Sequence, residues 1–373
     1  MSATLDLVKQ LIKLPSITPQ DQGCQEIIAK RLEKAGFRIE RLPFGEVSNL
    51  WAELGDEGPL FTFAGHTDVV TPGSLNEWTF NPFAAKEHDG FLYGRGAADM
   101  KSSLGAMITA TERFLDKHKP KGRLGFLITS DEEGQAIDGT RKVIETFNAR
   151  GIKIDYCVIG EPSCTDSLGD TIKVGRRGSL SCKLKIVGIE GHIAYPHLAS
   201  NPIHTALPAL NNLTGMEWDK GNQLFPPTSF QISNIQAGLG ADNVIPGSME
   251  IDFNLRFSTE LDAESIKKTI TEVFDREEIN YETHWHLSGE PFLTSDPELI
   301  NAVSQSVSEV TGIAPQLSTS GGTSDGRFIS PTGAQVVEFG PCNTTIHKIN
   351  ERIKVEDVEK LSRVYESILI KMA

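Results

Sequence analysis

The arrangement of apolar runs along the chain changes character twice, and that change limits the fold more than any other feature. Up to about residue 177, short strand-like runs at 37–42, Asn49–Leu54, 60–64, 124–129 and Tyr156–Ile159 alternate with helical patterns at Ser102–Lys117 and 139–149. Two further helices precede them. Leu5, Val8, Leu11 and Ile12 recur at helical spacing before Pro15, and Ile27, Ile28, Leu32 and Ala35 do so before Gly36. Strands alternating with helices predict an α/β domain with a largely parallel sheet flanked by helices. From residue 179 the order becomes strand 181–189, helix 202–213, strands 228–237 and 249–257, helix 263–277 and strand 281–286, a β-α-β-β-α-β unit. After Pro291 the first style resumes, with helix 298–310 closed by Gly312, strand 334–339 and helix Val355–Met372. A length of 373 residues also exceeds the roughly 250–300 at which one hydrophobic core stops growing. The predicted organisation is a first domain over 1–177 and 289–373, interrupted by an inserted domain over 178–288.

Composition narrows the function classes. Thirty-six basic against fifty acidic residues give a net charge of −14, which argues against nucleic-acid or anionic-membrane partners but says little about a small acidic substrate. The five cysteines, Cys24, Cys157, Cys164, Cys182 and Cys342, are odd in number, widely spaced and free of any CxxC pair, unlike a disulfide framework or a thiolate metal site. With no apolar stretch of membrane-spanning length and no leader-like N-terminus, a cytoplasmic protein is expected.

Polar residues gather where the predicted strands end, which is where α/β sheets build sites. His66 and Asp68 follow 60–64, Asp131, Glu132 and Glu133 follow 124–129, and Glu161 follows Tyr156–Ile159. Asp99 stands just before a helix and His347 lies in a late loop. Taken singly, each has an ordinary explanation: a solvated acidic turn, or for Asp99 a helix cap. Together, two imidazoles and several carboxylates could converge as metal ligands. His284 and His286 lack partner acids and read as sheet residues. Gly322-Thr323-Ser324-Asp325-Gly326 matches the G-x-S-x-G pattern of serine hydrolases, but its surroundings read as loop.

The motifs Gly96-Ala97-Ala98-Asp99-Met100-Lys101, Gly175-Arg176-Arg177-Gly178-Ser179, Tyr195-Pro196-His197, Trp218-Asp219-Lys220-Gly221-Asn222 and Gly322-Thr323-Ser324-Asp325-Gly326-Arg327-Phe328 resemble the co-catalytic zinc deacylases and exopeptidases related to aminoacylase and acetylornithine deacetylase. The resemblance runs from Leu11 to the C-terminus. It implies a zinc-exopeptidase-like first domain and a ferredoxin-like insert acting as lid and dimerisation domain of a homodimer. It further implies two Zn²⁺ per subunit, replaceable by Co²⁺, with Asp99 bridging, His66 and Glu161 completing one ion, and Glu133 and His347 the other. Asp68 would orient His66, Glu132 would serve as general base, and His192 would stabilise the oxyanion. Arg176, Ser179, Tyr195, Asn243, Arg256, Gly322, Thr323 and Asn343 fall at positions that bind substrate carboxylates, for which guanidinium forks are suited even in an acidic protein. The implied substrate is an N-acyl amino acid rich in carboxylates, a succinylated diamino dicarboxylate first and an acetylated diamino acid as the alternative. A non-hydrolytic protein with structural zinc is the reading from another class.

Overall fold

The computed structural model describes residues 2–373, which divide into two compact units. The first comprises residues up to Gly175, Leu293–Ser318 and Ser324–Ala373, and the second Arg176–Phe292 with Thr319–Thr323. The second unit thus begins and ends within a few residues of the expected insert. It also takes in a five-residue segment that the sequence pattern leaves in the first.

In chain order the first unit contains α1 (Ala3–Ile12), α2 (Cys24–Lys34), β1 (Arg38–Arg41), β2 (Asn49–Leu54), β3 (Leu60–His66), α3 (Ser102–Lys117), β4 (Arg123–Thr129), α4 (Thr140–Arg150), β5 (Tyr156–Ile159) and β6 (Thr171–Lys173). The second contributes β7 (Gly178–Val187), α5 (Pro202–Gly215), β8 (Ser229–Ala237), β9 (Ser248–Phe257), α6 (Ala263–Arg276) and β10 (Tyr281–Gly289). The chain then returns to the first unit with α7 (Pro297–Thr311), β11 (Gln316–Ser318), β12 (Gln335–Glu338) and α8 (Val355–Met372).

The first unit's sheet runs β1-β2-β4-β3-β5-β12-β6-β11. Its centre is parallel, since β4, β3, β5 and β12 pair in that sense, while β1, β2 and the β12–β6 contact are antiparallel. Every residue of β3 is buried, as expected of a strand covered on both faces. Phe63 of β3 pairs with Phe126 of β4 and also meets Tyr365 of α8, the Phe63 and Tyr365 rings lying 5.4 Å apart. On the other face Trp51 of β2 meets Phe147 of α4 at 4.8 Å. Gly125 of β4 makes room for that indole, because a Cβ there would lie 2.4 Å from Trp51 Cη2.

In the second unit the order is β8-β9-β7-β10, antiparallel throughout, with α5 and α6 against one face. The alternating Leu180, Cys182, Leu184 and Ile186 of β7 and Met249, Ile251, Phe253 and Leu255 of β9 pack on Ala209 and Leu213 of α5 and Ile266, Ile270 and Phe274 of α6. An Asp262–Ser265 capping box starts α6. His284 and His286 lie exposed on β10, as ordinary sheet positions do. No helix among the described residues is long and apolar enough to cross a membrane.

Periodicity did not reveal a three-stranded sheet of Lys86–His88, Phe91–Tyr93 and Arg352–Lys354, whose strands are too short to display a repeat. This sheet matters below, because it brings the end of the 343–351 loop beside the loop that carries Asp99.

Candidate metal centre

Parallel pairing of β4, β3 and β5 aligns their C-terminal ends, with His66 opposite Thr129 and Ala64 opposite Ile159. The residues that follow therefore leave the sheet along one edge. His66 is the last residue of β3. Its Nδ1 lies 2.9 Å from the Asp68 main-chain carbonyl, so that nitrogen carries a proton, and in the neutral ring Nε2 is the one left to act as a metal donor. Nε2 faces Asp99 Oδ1 at 3.2 Å and Glu161 Oε1 at 3.6 Å.

The Asp68 carboxylate stands 3.6 Å from His66 Nδ1 and also accepts the main-chain amides of Glu132 and Glu133, at 3.3 and 3.1 Å. The ring is oriented by the Asp68 carbonyl, and the carboxylate shapes the turn after β4. Asp131, next in the acidic run, is likewise a turn residue, accepting the amides of Ala136, Ile137 and Asp138.

Asp99 sits in a non-helical stretch before α3, at φ −121° and ψ 96°, and does not cap the helix. Met100, beside it, packs into space left by Gly65 and Gly160, the neighbours of His66 and Glu161, where a Cβ would lie 2.3 and 2.6 Å from Met100 Cε. The Asp99 carboxylate divides its two oxygens. Oδ1 faces His66, whereas Oδ2 lies 3.4 Å from His347 Nε2, which also approaches Glu133 Oε1 at 3.0 Å.

Two groups that could hold a metal ion thus share one aspartate: His66, Asp99 and Glu161, and Asp99, Glu133 and His347, with the donor atoms of each group within 4.8 Å of one another. His66 Nε2, Asp99 Oδ1 and Glu161 Oε1 are buried and lack a hydrogen-bond partner. Buried polar atoms are nearly always paired, and three that converge without satisfying each other are what a cation would satisfy. The electrostatics agree. The Asp99 and Glu133 carboxylates push His347 up to about 10. Burial opposes charge on His66, yet Asp99, Glu161 and Asp68 raise it. Burial and the neighbouring carboxylates hold Glu132 and Glu161 well above the usual range. Each group calls for positive charge.

Among the remaining expected residues, Asn343 belongs to the first unit, its amide bonded to the Cys164 carbonyl at 2.9 Å. The others fall in the second unit in three local sets. Buried Arg176 donates to the Ser320 carbonyl at 3.2 Å, in the segment that contains Gly322 and Thr323. Ser179 and Arg256 are direct partners across β7 and β9. His192 and Tyr195 have their rings 5.7 Å apart, and the carbonyl of Asn243 accepts the Ile193 amide. The Ala194 amide donates to His192 Nδ1 at 3.1 Å, which leaves Nε2 as the N–H nitrogen.

The segment around Ser324 is not the plain loop expected, since a helical turn, Gly326–Ile329, follows it. Ser324 is nonetheless buried and donates to the Glu338 carboxylate, which leaves no exposed nucleophile. Glu351 carried no signal in the sequence, and Arg95 and Lys101 were given no role by it, yet all three are buried beside the Asp99 loop.

Two groups of candidate metal donors that share a carboxylate, at the C-terminal edge of a largely parallel sheet, match the arrangement of a metal-dependent hydrolase of the two-ion type. The chain belongs to peptidase family M20/M25/M40, whose model matches residues 62–371. Along its whole length it is similar to the succinyl-diaminopimelate desuccinylases of Alkalilimnicola ehrlichii, 57% identical over 99% of both chains, and Acinetobacter baumannii, 58% identical over 99% of this chain and 98% of the relative. Among solved structures, an M20 family metallo-carboxypeptidase of Sulfolobus solfataricus superposes with a TM-score of 0.84 over 100% and 99% of the two chains at 19% identity. A dinuclear metal-binding M20 peptidase of Bacillus subtilis does so at 0.75 over 98% and 96%, also at 19% identity.

Proposed function

We propose that the chain hydrolyses N-succinyl-LL-2,6-diaminopimelate to succinate and LL-2,6-diaminopimelate, a step in lysine and diaminopimelate synthesis. The observation that carries this reading is the full-length identity of 57–58% with desuccinylases. The shared-aspartate arrangement of donors supports the chemistry.

His66, Asp99 and Glu161 would hold one ion and Asp99, Glu133 and His347 the other. Imidazole and carboxylate donors in threes suit zinc, with cobalt able to replace it. When bound, such ions supply Lewis acidity toward an amide carbonyl and lower the pKa of water. Glu132 stands in neither triad. Its carboxylate takes the proton of the water that adds to the amide carbon, and gives it to the amine as the C–N bond breaks. Burial raises its pKa, the direction that favours a carboxylate as proton carrier. His192, with Nε2 as its N–H nitrogen, is the donor assigned to the tetrahedral oxyanion.

Substrate carboxylates fall to Arg176, Arg256, Ser179, Tyr195, Asn243, Thr323 and Asn343, with Gly322 admitting backbone contact. The active molecule is a homodimer joined through the second unit. In support, β8 lies at a sheet edge and carries exposed Ile235, near Leu239 in sequence and with Leu207 exposed on α5. Sedimentation of an active monomer would overturn that part. A cytoplasmic location accords with five free cysteines.

Cleavage of N-succinyl-LL-2,6-diaminopimelate should be compared with that of N-acetylornithine under matched zinc. Higher kcat/KM on the succinylated substrate is expected. Preference for the acetylated one would replace the assignment with another deacylase of the family.

A further inference from the structure

Glu351 is almost completely buried and lies outside both ligand triads. Its side chain accepts four donors: Oε2 takes the Gly96 amide at 3.0 Å and Arg95 Nη1 at 2.8 Å, and Oε1 takes the amides of Ala98 and Asp99 at 2.9 and 3.1 Å. Its carbonyl accepts the Gly94 amide at 3.0 Å. One residue therefore accepts the main-chain amides of Gly94, Gly96, Ala98 and Asp99, four of the six from 94 to 99. The stretch needs such an anchor, because Asp99 and Met100 have non-helical backbone and cannot be held by helical hydrogen bonds.

Arg95, equally buried, carries the connection further. Its guanidinium reaches the Lys348 carbonyl, immediately after His347, and the Thr71 carbonyl, in the segment leaving His66, each at 3.3 Å. It lies over the Trp78 ring, 5.2 Å from the centroid. The pair thereby ties together the three segments that present His66, Asp99 and His347. A buried ion pair is a weak source of stability, since desolvation offsets most of the attraction. Its best-supported use is to fix register, and the register fixed here is that of Asp99 against His347.

We infer that Glu351, acting with Arg95, is a positioning residue that presets the distance between the shared carboxylate of Asp99 and His347, and so sets the affinity for the ion held by Asp99, Glu133 and His347. This rests on the two-metal reading of the centre. Glu351→Gln keeps the shape but puts an amide N–H against donors that need an acceptor, so the Asp99 loop loses its fixed position. Outer-sphere partners of this kind change metal affinity by roughly 10–100-fold.

The test is calorimetric titration of the metal-free full-length protein with zinc, for wild type, Glu351→Gln and Arg95→Lys, after thermal melts establish that each is folded. Wild type should take up two ions. In Glu351→Gln one of the two should bind at least tenfold more weakly, with the other less affected, and the visible spectrum of the cobalt-loaded protein should change. Arg95→Lys keeps the charge but loses the fork to Lys348 and Thr71, and should weaken the same ion to a smaller extent. If Glu351→Gln does not fold, Arg95→Lys decides the matter. Folded variants with two ions bound as tightly as in wild type would overturn the inference. Failure of wild type to bind two ions would instead remove the metal reading beneath it.

Discussion

The division of ligands in the centre predicts how far metal removal lowers the melting temperature, and how that effect is shared among variants. Asp99 serves both triads, whereas His347 serves one. A ligand present at 100 times its Kd stabilises the native state by about 2.7 kcal/mol, so two ions contribute about 5 kcal/mol. For a unit in the range of about 150–250 residues, 1 kcal/mol shifts Tm by roughly 2–4 °C. Adding zinc to metal-free protein should then raise the transition of the first unit by about 10–20 °C. In His347→Ala one triad survives, and the increase should fall to about half, roughly 5–10 °C. In Asp99→Ala neither triad is complete, and little should remain. Differential scanning calorimetry with and without zinc measures all three. Retention of the full increase in Asp99→Ala, or identical values for His347→Ala and wild type, would refute the shared-aspartate arrangement.

Three other outcomes follow from the same structure. Glu132→Gln should keep its zinc content while kcat/KM falls by about 10²–10⁴-fold, the usual range for a general base; normal turnover in steady-state assays would remove Glu132 from the mechanism. Gly125→Ala forces a Cβ against Trp51 and should cost about 1–3 kcal/mol by overpacking, with part of the loss recovered in the Trp51→Phe background; chemical denaturation of the four proteins tests the coupling. Asp170 loses some solvation, but the amides of Ser167, Thr165 and Asp166 draw its pKa down from 3.8 to about 2. The group therefore contributes stability above about pH 4 that is lost as pH falls toward 2, and the Tm difference from Asp170→Asn should be constant near neutrality and shrink below pH 4.

Much of the fold is legible in the sequence because its elements are long enough to display a period. The strands that end at His66, Thr129 and Ile159 are continuous apolar runs, and each is followed by the polar residue that the sheet brings to its edge. The alternation in 178–187 and 248–257 reports a sheet with one buried face. Hidden from such reading were contacts between a side chain and distant backbone. Glu351 acts on amides about 250 positions away, and no local pattern marks a carboxylate with that task. The same holds for Asp68, whose spacing from His66 suggests a bond to the ring, while its carboxylate is also engaged by the amides of Glu132 and Glu133. Thr319–Thr323 groups with the second unit through contacts such as the Thr319 hydroxyl on the Leu224 carbonyl, which composition cannot express. Ser324 looks like a nucleophile in a motif and proves to be a buried donor to Glu338.

The central claim is that the joined triads form a hydrolytic metal centre acting on a succinylated diamino acid. Its most direct test is to titrate the metal-free protein with zinc while following release of LL-2,6-diaminopimelate from the succinylated substrate. The account predicts no release without metal and recovery of turnover as zinc is added. Undiminished release from metal-free protein, or none at any zinc concentration, would contradict it.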